Sequence, residues 1–325
     1  YTTDANEDAT IDLGWEPQWV LAKRTDSSTG GSWMLFDNMR GLPADFITQS
    51  ALIEANDTNA ESNVNRMILT PTGFKVDNYG ANRDYIYIAI RRGPMAVPES
   101  ATDVFDINYR DTTKPHFNST SSVVDMAFKI YTLSGYGDSW KKYIQSRLTG
   151  TKHLQTNSTG TQGSNNENTW DHHNGWSEDP GSSDYFSWMW KRAPNFFDVV
   201  TYGATGETNP SVSHNLGVAP EMIWHKERDR NAPWSVAHSY DFTKRLVLDS
   251  TSAEVSYQFV TNITDTSFNI NFGGLGAENS NKIMYLFASL DGVSKVGSYT
   301  ATGNTLNIDC GFTSGARFVL IKNTG

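Results

Sequence analysis

The stretch that decides the fold is Asn215-Leu216-Gly217-Val218-Ala219-Pro220, which leads into Met222-Ile223-Trp224-His225-Lys226. A similar phrase, Asp12-Leu13-Gly14-Trp15-Glu16-Pro17, leads into residues 19–23. Asp309-Cys310-Gly311-Phe312 precedes the apolar run 317–322, and a divergent copy without Gly precedes residues 126–130. Each copy joins a Gly-marked or polar turn to a short apolar run, which predicts a turn followed by a β-strand. Its recurrence predicts a tandem repeat.

Two further landmarks recur in the same order. A Trp-led strand begins at Trp33, Trp140 and Trp234, and a strongly apolar strand closes each repeat at residues 85–90, 185–190 and 283–288. Tyrosines that open the repeats recur about every hundred residues, at Tyr1, Tyr109, Tyr202 and Tyr299. The repeated tryptophans are expected in the core. The closing strand, apolar on both faces, is expected at the centre of a sheet and covered on both sides.

The short apolar segments predict an all-β protein of tandem antiparallel β-sandwich modules, each about a hundred residues long. Their expected boundaries are 1–93, 99–193 and 197–296, with the start of a fourth module at 297–325. A helix over residues 42–54 is left open. Short linkers at 93–98 and 193–195 predict that the modules stack in a line. The incomplete fourth copy is interpreted as a sign that the chain is part of a longer polypeptide.

Composition narrows the classes of partner. The net charge of −10 argues against a protein that neutralises many phosphates, so no nucleic acid partner is expected. Cys310 is the only cysteine, which excludes an intrachain disulfide. No apolar run reaches membrane-spanning length, so no membrane insertion is expected.

Candidate chemical sites give weak signals. The adjacent histidines His172 and His173 point to opposite faces if they lie on a strand, and the acidic loop 177–184 lacks the regular ligand spacing of a calcium site. The histidines of the third module have no recognisable nucleophile near them, and the glycines at 273–276 do not lie between a strand and a helix. The sequence therefore predicts no catalytic residue, no metal, no cofactor and no enzyme.

Tryptophans are the candidate binding residues. Flat aromatic faces stack on sugar rings, and the chain has ten tryptophans. Those that lead the second landmark are assigned to the core. Trp15, Trp170 and Trp176 lie in or beside predicted turns and are the candidate exposed glycan platforms.

The phrasing of the repeats resembles a module of bacteriophage tail-fibre and virion appendage proteins, notably from phages of marine bacteria. The matching stretches are 197–202, 214–220, 146–152, 187–194 and 297–300, which lie in the second and third modules and at the start of the fourth. The resemblance implies a structural protein on the exterior of a virion, which binds other virion proteins and other copies of itself, commonly as a trimer. It also implies a surface that meets host polysaccharide.

Two other functions remain open. A bacterial surface adhesin or filament subunit built from carbohydrate-binding sandwiches is the first. The second is the non-catalytic region of a polysaccharide depolymerase, whose active part needs a pair of carboxylates in a groove. The host, the receptor and the position in the virion are not encoded in any motif of the chain.

Overall fold

A computed structural model describes residues 1–27, 31–44, 48–91, 96–120, 123–132, 141–165, 168–178, 184–203, 207–271 and 280–325. Within these ranges the chain forms 25 strands and two single-turn 3-10 helices, Ala101–Asp103 and Arg147–Thr149. The strands pair in antiparallel sheets, which confirms the predicted all-β class. None of the described helices is long and apolar enough to cross a membrane.

The turn of the repeated phrase depends on its glycine. Gly14, Gly217 and Gly311 all have a positive φ, between 73° and 76°. This left-handed conformation costs glycine little and strains residues with a Cβ. Asp12 and Asp309 stabilise two of the turns, because the carboxylate of each accepts the N–H of the glycine two residues later, at 2.9 and 2.8 Å. The turn predicted from the phrase is confirmed in all three copies.

Module 1 contains two sheets, ordered β5-β4-β3-β2-β8 and β1-β7-β6. Its strands are β1 (Ala9–Asp12), β2 (Pro17–Arg24), β3 (Met34–Asp37), β4 (Ser50–Glu54), β5 (Ser62–Val64), β6 (Met67–Thr70), β7 (Gly73–Val76) and β8 (Tyr85–Arg91). The alternative of a helix over residues 42–54 is wrong, because β4 pairs with β3 and β5.

Module 2 has a six-stranded sheet, β14-β13-β12-β11-β16-β9, and a two-stranded sheet, β10-β15. Its strands are β9 (Phe105–Tyr109), β10 (Phe117–Asn118), β11 (Met126–Tyr131), β12 (Lys142–Ser146), β13 (Lys152–Gln155), β14 (Gly163–Ser164), β15 (Gly175–Trp176) and β16 (Tyr185–Trp190).

Module 3 repeats this plan with a six-stranded sheet, β17-β25-β19-β20-β21-β22, and a three-stranded sheet, β18-β24-β23. Its strands are β17 (Phe197–Tyr202), β18 (Ser211–Ser213), β19 (Met222–Glu227), β20 (Ser235–His238), β21 (Lys244–Val247), β22 (Val255–Ser256), β23 (Val260–Thr261), β24 (Ser267–Ile270) and β25 (Lys282–Phe287).

The closing strand occupies different places in the three larger sheets. In modules 2 and 3 it lies between the opening strand and the strand of the repeated phrase, as predicted. In module 1 the closing strand β8 ends the sheet, and of the described residues only Tyr1 and Thr2 reach its free side, near Tyr85 and Asp84. The expected central, covered position is therefore wrong for module 1.

The buried apolar residues in the described part of the chain form three clusters. The first fills the space between the two sheets of module 3, around Phe259 and Phe268, and the second does so in module 2, around Phe117 and Trp176. The third and largest cluster joins all three modules. It combines the inner core of module 1 with side chains from the outer faces of the larger sheets of modules 2 and 3, such as Trp190 and Tyr285.

Every pair of modules is in direct contact. The Ala44 N–H donates to the Leu148 carbonyl at 3.1 Å, the Trp234 indole donates to the Gln155 carbonyl at 2.9 Å, and the Thr201 hydroxyl donates to the Ala44 carbonyl at 2.6 Å. The expected linear stack is therefore wrong. A line would leave the apolar outer faces of modules 2 and 3 in water, whereas mutual packing buries them.

Residues 297–325, predicted to start a fourth module, contain no regular secondary structure. The strand predicted over 317–322 is therefore wrong. These residues pass along modules 2 and 3, where Phe318 packs on Phe105 and Trp190, and Lys322 donates to the carbonyl of Ser250. The module boundaries themselves stay a prediction.

Candidate functional site

Two of the three predicted glycan platforms are buried. Trp176 is fully buried, stacked between Phe117 at 4.8 Å and Trp170 at 5.4 Å between ring centroids. Trp170 is 6% exposed, and its indole N–H donates to the Gly150 carbonyl at 2.9 Å. Their assignment as exposed platforms is wrong, because both rings belong to the core of module 2 and their faces are already covered.

The remaining tryptophans follow the prediction in part. Trp15 is half-buried in the turn before β2, so its role as a platform stays a prediction. Trp234 is fully buried, which confirms its place in the core. Trp33 is only half-buried, and Trp140 lies outside the described residues.

The polar clusters considered as metal or catalytic sites do not come together. Among the described residues, no group of three His, Cys, Asp or Glu side chains is placed to hold a metal ion. His172 lies beside Asp171, 3.5 Å from its carboxylate, while His173 is exposed. Residues 179–183 of the acidic loop and the glycines at 273–276 lie outside the described residues. The histidines of module 3 pack against three different rings, those of Phe268, Phe259 and Tyr240.

Glu178, a member of the acidic loop, is bound within module 2. Its carboxylate accepts hydrogen bonds from Lys129 at 2.5 Å, from Gln145 at 2.9 Å and from Asn165 at 2.8 Å. The Lys129 ammonium also lies 4.6 Å from the centre of the Tyr185 ring. Burying a carboxylate without partners is costly, so these hydrogen bonds stabilise the inside of the module.

A surface cleft of about 410 Å³ opens in module 3, beside the turn of the repeated phrase. It is lined by residues from the turn before β19, from the loop after β20 and from β23 and its flanks, among them Glu221, Phe242, Gln258 and Asn262. The Glu221 carboxylate is fixed by the Ser289 N–H, which donates to it at 2.6 Å. An aromatic ring beside a fixed carboxylate and two amides is the combination that binds a sugar face together with its hydroxyl groups.

A buried charge network lies where the three modules meet. Arg192, 1% exposed, follows the closing strand of module 2, and its guanidinium donates to both oxygens of Glu16 in module 1, at 3.0 and 2.8 Å. The same guanidinium lies 3.7 Å from Asp125 in module 2 and 3.6 Å from Asp198 in module 3. One arginine thus joins carboxylates from all three modules.

The network is extended by hydrogen bonds to the backbone. The Arg192 N–H donates to Asp125 at 2.7 Å, and the Asn215 N–H donates to Asp198 at 2.8 Å. The Asn215 amide also reaches Glu16 at 3.4 Å. Asn215 is the first residue of the repeated phrase, so a residue that marks the turn in the sequence also holds the joint in the structure.

The electrostatics of this joint favour the charged state of Arg192. Burial alone works to lower the pKa of the guanidinium, but the negative charges of Glu16, Asp125 and Asp198 outweigh it and hold the pKa above its ordinary value. Sequence reasoning missed this network. One signal was available in the sequence. Charged residues lie next to the turns and the closing strands, although only 19% of the residues in the chain are charged.

The inner face of module 3 carries a buried histidine. His225 is 1% exposed and packs at a tilt against Phe259, and neither ring nitrogen has a hydrogen-bond partner among the described residues. Burial, together with the positive charges of Lys282, Lys226 and Arg245, lowers the pKa of His225 to about 3. The ring is therefore neutral at physiological pH and acts as an apolar core residue.

Comparison with known proteins gives one family. A family model described as a domain of unknown function, DUF7483, matches residues 1–94 and 139–325. No curated protein and no solved structure matches the chain.

Proposed function

The chain belongs to the DUF7483 family, a domain of unknown function, and we propose that it is a structural protein of a bacteriophage virion. Its place is on the exterior, as a tail fibre or a similar appendage. Its partners are other virion proteins and other copies of itself, and one of its surfaces meets host polysaccharide.

The observation that carries the proposal is the joint around Arg192. Three β-modules that could tumble independently are held by one buried guanidinium and three carboxylates, surrounded by a hydrophobic cluster common to all modules. Moving one module relative to another would leave these charges without partners in an apolar environment, which costs free energy. A rigid body of this kind suits a structural protein, whose task is to keep a fixed shape and fixed positions of its parts.

The sequence supports the proposal in two ways. The phrasing at residues 187–194 and 214–220 resembles that of virion appendage proteins. The described glycine and asparagine turns close short strands without a disulfide, so the fold needs no oxidising compartment for assembly. Both features fit a protein made in a bacterial cytoplasm and used outside it.

The cleft of module 3 favours a second role, the binding of a glycan. Phe242 supplies the ring, and Glu221, Gln258 and Asn262 supply donors and acceptors for hydroxyl groups. Because the turn before β19 forms one wall, the repeated phrase that builds the fold also shapes the cleft. We infer that host polysaccharide is the ligand and that Trp15 offers a separate platform on module 1.

Location is tested by immunogold labelling. Antibodies against the purified chain are applied to phage particles and to uninfected cells of the bacterium in which the gene is found. The proposal expects gold on the particles, concentrated on tails or surface projections, and the protein in a digest of the purified particles. Gold confined to the cell envelope of uninfected cells would replace the proposal with the adhesin alternative.

Glycan binding is tested by titrating surface polysaccharides of the host into the purified chain and measuring the dissociation constant. Phe242→Ala is expected to weaken binding at least tenfold, because it removes the ring on which a sugar stacks. Tyr109→Ala is the matched control, since Tyr109 is a 58% exposed ring on module 2 far along the chain from the cleft. Equal losses in both variants, or binding lost only with Trp15→Ala, would exclude the cleft as the binding site.

A further inference from the structure

The larger sheet of module 1 has an apolar outer face that nothing in the described chain covers. Its side chains alternate with the inner ones along each strand, and on β8 they are Ile86, Ile88 and Ile90, which are 52%, 57% and 54% exposed. The pairing places Ile88 beside Leu21, Leu21 beside Leu35 and Leu35 beside Ile53. We call these six residues the isoleucine face.

The equivalent face of module 3 is buried, and that of module 2 is buried in part. In module 3 the row that corresponds to Ile88 and Leu21 contains Tyr285 and Trp224, which are 1% and 3% exposed. In module 2 the matching pair, Trp188 and Phe128, is half-buried, and the row continues through Ile144 and Leu154, which are 1% and 4% exposed. Side chains of both rows belong to one hydrophobic cluster. Within this molecule, therefore, such a face is buried where other parts of the chain pack on it.

We propose that the isoleucine face binds the same face of a second copy of the chain, related by a twofold axis. On the outer face of module 2, Tyr109 is also exposed, but among the described strands only β8 carries three exposed apolar side chains in a row, so the same face of a second copy is the matching surface. The inference deepens the self-association part of the proposed function and rests on that part, while it does not depend on location in a virion. It predicts a pair where the sequence resemblance implies a trimer.

The size of the face is that of a weak, reversible interface. Four strands about 4.8 Å apart and six residues at about 3.4 Å each make a face of roughly 400 Å². Two copies then bury about 800 Å², which is within the range of weak, transient complexes. Two apolar sheets packed face to face are also the ordinary geometry of a sandwich core.

The charges around the face select the direction of the axis. Lys23 lies beside Ile86 at one end, and Asp37 lies beside Trp19 at the other. A twofold axis perpendicular to the strands, through the row of Ile88 and Leu21, places the Lys23 end of one copy against the Asp37 end of the other. An axis along the strands would place like ends together, which is less favourable. Because Asp37 already binds Arg40 at 2.7 Å, the apolar row supplies most of the affinity.

The test compares two triple variants of the full 325-residue chain by sedimentation velocity over a range of concentrations. The first is Ile86→Thr with Ile88→Thr and Ile90→Thr, which keeps β-branched side chains suited to a strand. The matched control is Val319→Thr with Leu320→Thr and Ile321→Thr, whose residues are 66%, 49% and 65% exposed in the C-terminal segment. Circular dichroism checks that each variant folds.

The wild type and the control are expected to form dimers with the same dissociation constant, and the isoleucine variant to raise that constant at least a hundredfold. A wild type that stays monomeric at 100 micromolar, a trimer, or a dimer lost in the control instead would overturn the proposal. Its failure is separate from that of the proposed function. If the chain is monomeric in sedimentation velocity and immunogold still labels phage particles, the virion assignment stands and only this interface is removed.

Discussion

The larger sheets of modules 1 and 3 have the same strand order around the repeated phrase and opposite surroundings. Ile88 in β8 and Tyr285 in β25 occupy matching positions, opposite Leu21 and Trp224. The first is 57% exposed, and the second is 1% exposed. Strand pairing alone therefore does not decide whether the outer face of a sheet is buried.

The difference comes from the neighbouring modules. Modules 2 and 3 share the large hydrophobic cluster through their outer faces, whereas module 1 contributes its inner core to it and keeps its outer face free. The buried network around Arg192 fixes this arrangement, since it lies at the common junction. An apolar strand pattern thus predicts a sheet, and the contacts between modules determine which of its faces meets water.

The largest expected effect comes from breaking the junction. Arg192→Met keeps most of the side-chain volume but leaves the carboxylates of Glu16, Asp125 and Asp198 buried without their common cation. We expect the free energy of unfolding, measured by urea titration, to fall by about 3–5 kcal/mol. The backbone amides of the larger sheet of module 3 should then exchange faster in hydrogen exchange.

Arg40→Met is the matched control for this variant. Arg40 pairs with Asp37 and Glu61 near the surface, where an ion pair contributes about 0–1 kcal/mol. Equal losses in the two variants would show that the junction does not hold the modules together.

The second prediction compares the matching positions directly. Tyr285→Ala removes a fully buried ring and should lower the free energy of unfolding by about 3 kcal/mol or more. Ile88→Ala should change it by less than about 1 kcal/mol at protein concentrations too low for association. A large loss from Ile88→Ala in the monomer would mean that the isoleucine face is covered within the chain.

The third prediction concerns the inner face of module 3 and pH. The unfolded chain binds a proton on His225 below about pH 6.5, whereas the folded protein does so only near pH 3. Lowering the pH from 7 to 4 therefore favours unfolding by about 3 kcal/mol through this group. His225→Leu should remove that part of the acid sensitivity, as measured by urea titration at both pH values.

The exposed His173 supplies the control for the acid experiment. His173→Gln should leave the pH dependence of the free energy of unfolding as it is in the wild type. If His225→Leu shows the same loss of stability between pH 7 and pH 4 as the wild type, the acid sensitivity arises elsewhere.

Much of the fold could be predicted from the sequence because local physics decides it. The turn glycines, the strand of the repeated phrase and the core position of Trp234 each follow from a short stretch of chain. The junction could not be predicted in this way. Glu16 and Arg192 are 176 residues apart, and no local pattern indicates that they meet.

The candidate binding residues show the same limit. Trp170 and Trp176 lie beside turns, which favours exposure on local grounds. The pairing of β10 with β15 places Trp176 opposite Phe117, so that the rings stack inside module 2. The cleft of module 3 was missed because its lining comes from three separate stretches of chain.

The smallest expected effect concerns the C-terminal segment, which covers part of the outer face of module 2. Phe318 packs edge-on against Trp188 and Trp190, with centroids 5.9 and 5.3 Å apart. Phe318→Ser should release the segment while changing the free energy of unfolding by about 1 kcal/mol or less, because most of the module 2 face is buried by other residues. Hydrogen exchange should rise in residues 310–325 and stay unchanged in β25. If exchange in β25 also rises, the segment is part of the cover that distinguishes module 3 from module 1, and burial of the outer faces depends on it as well as on the junction.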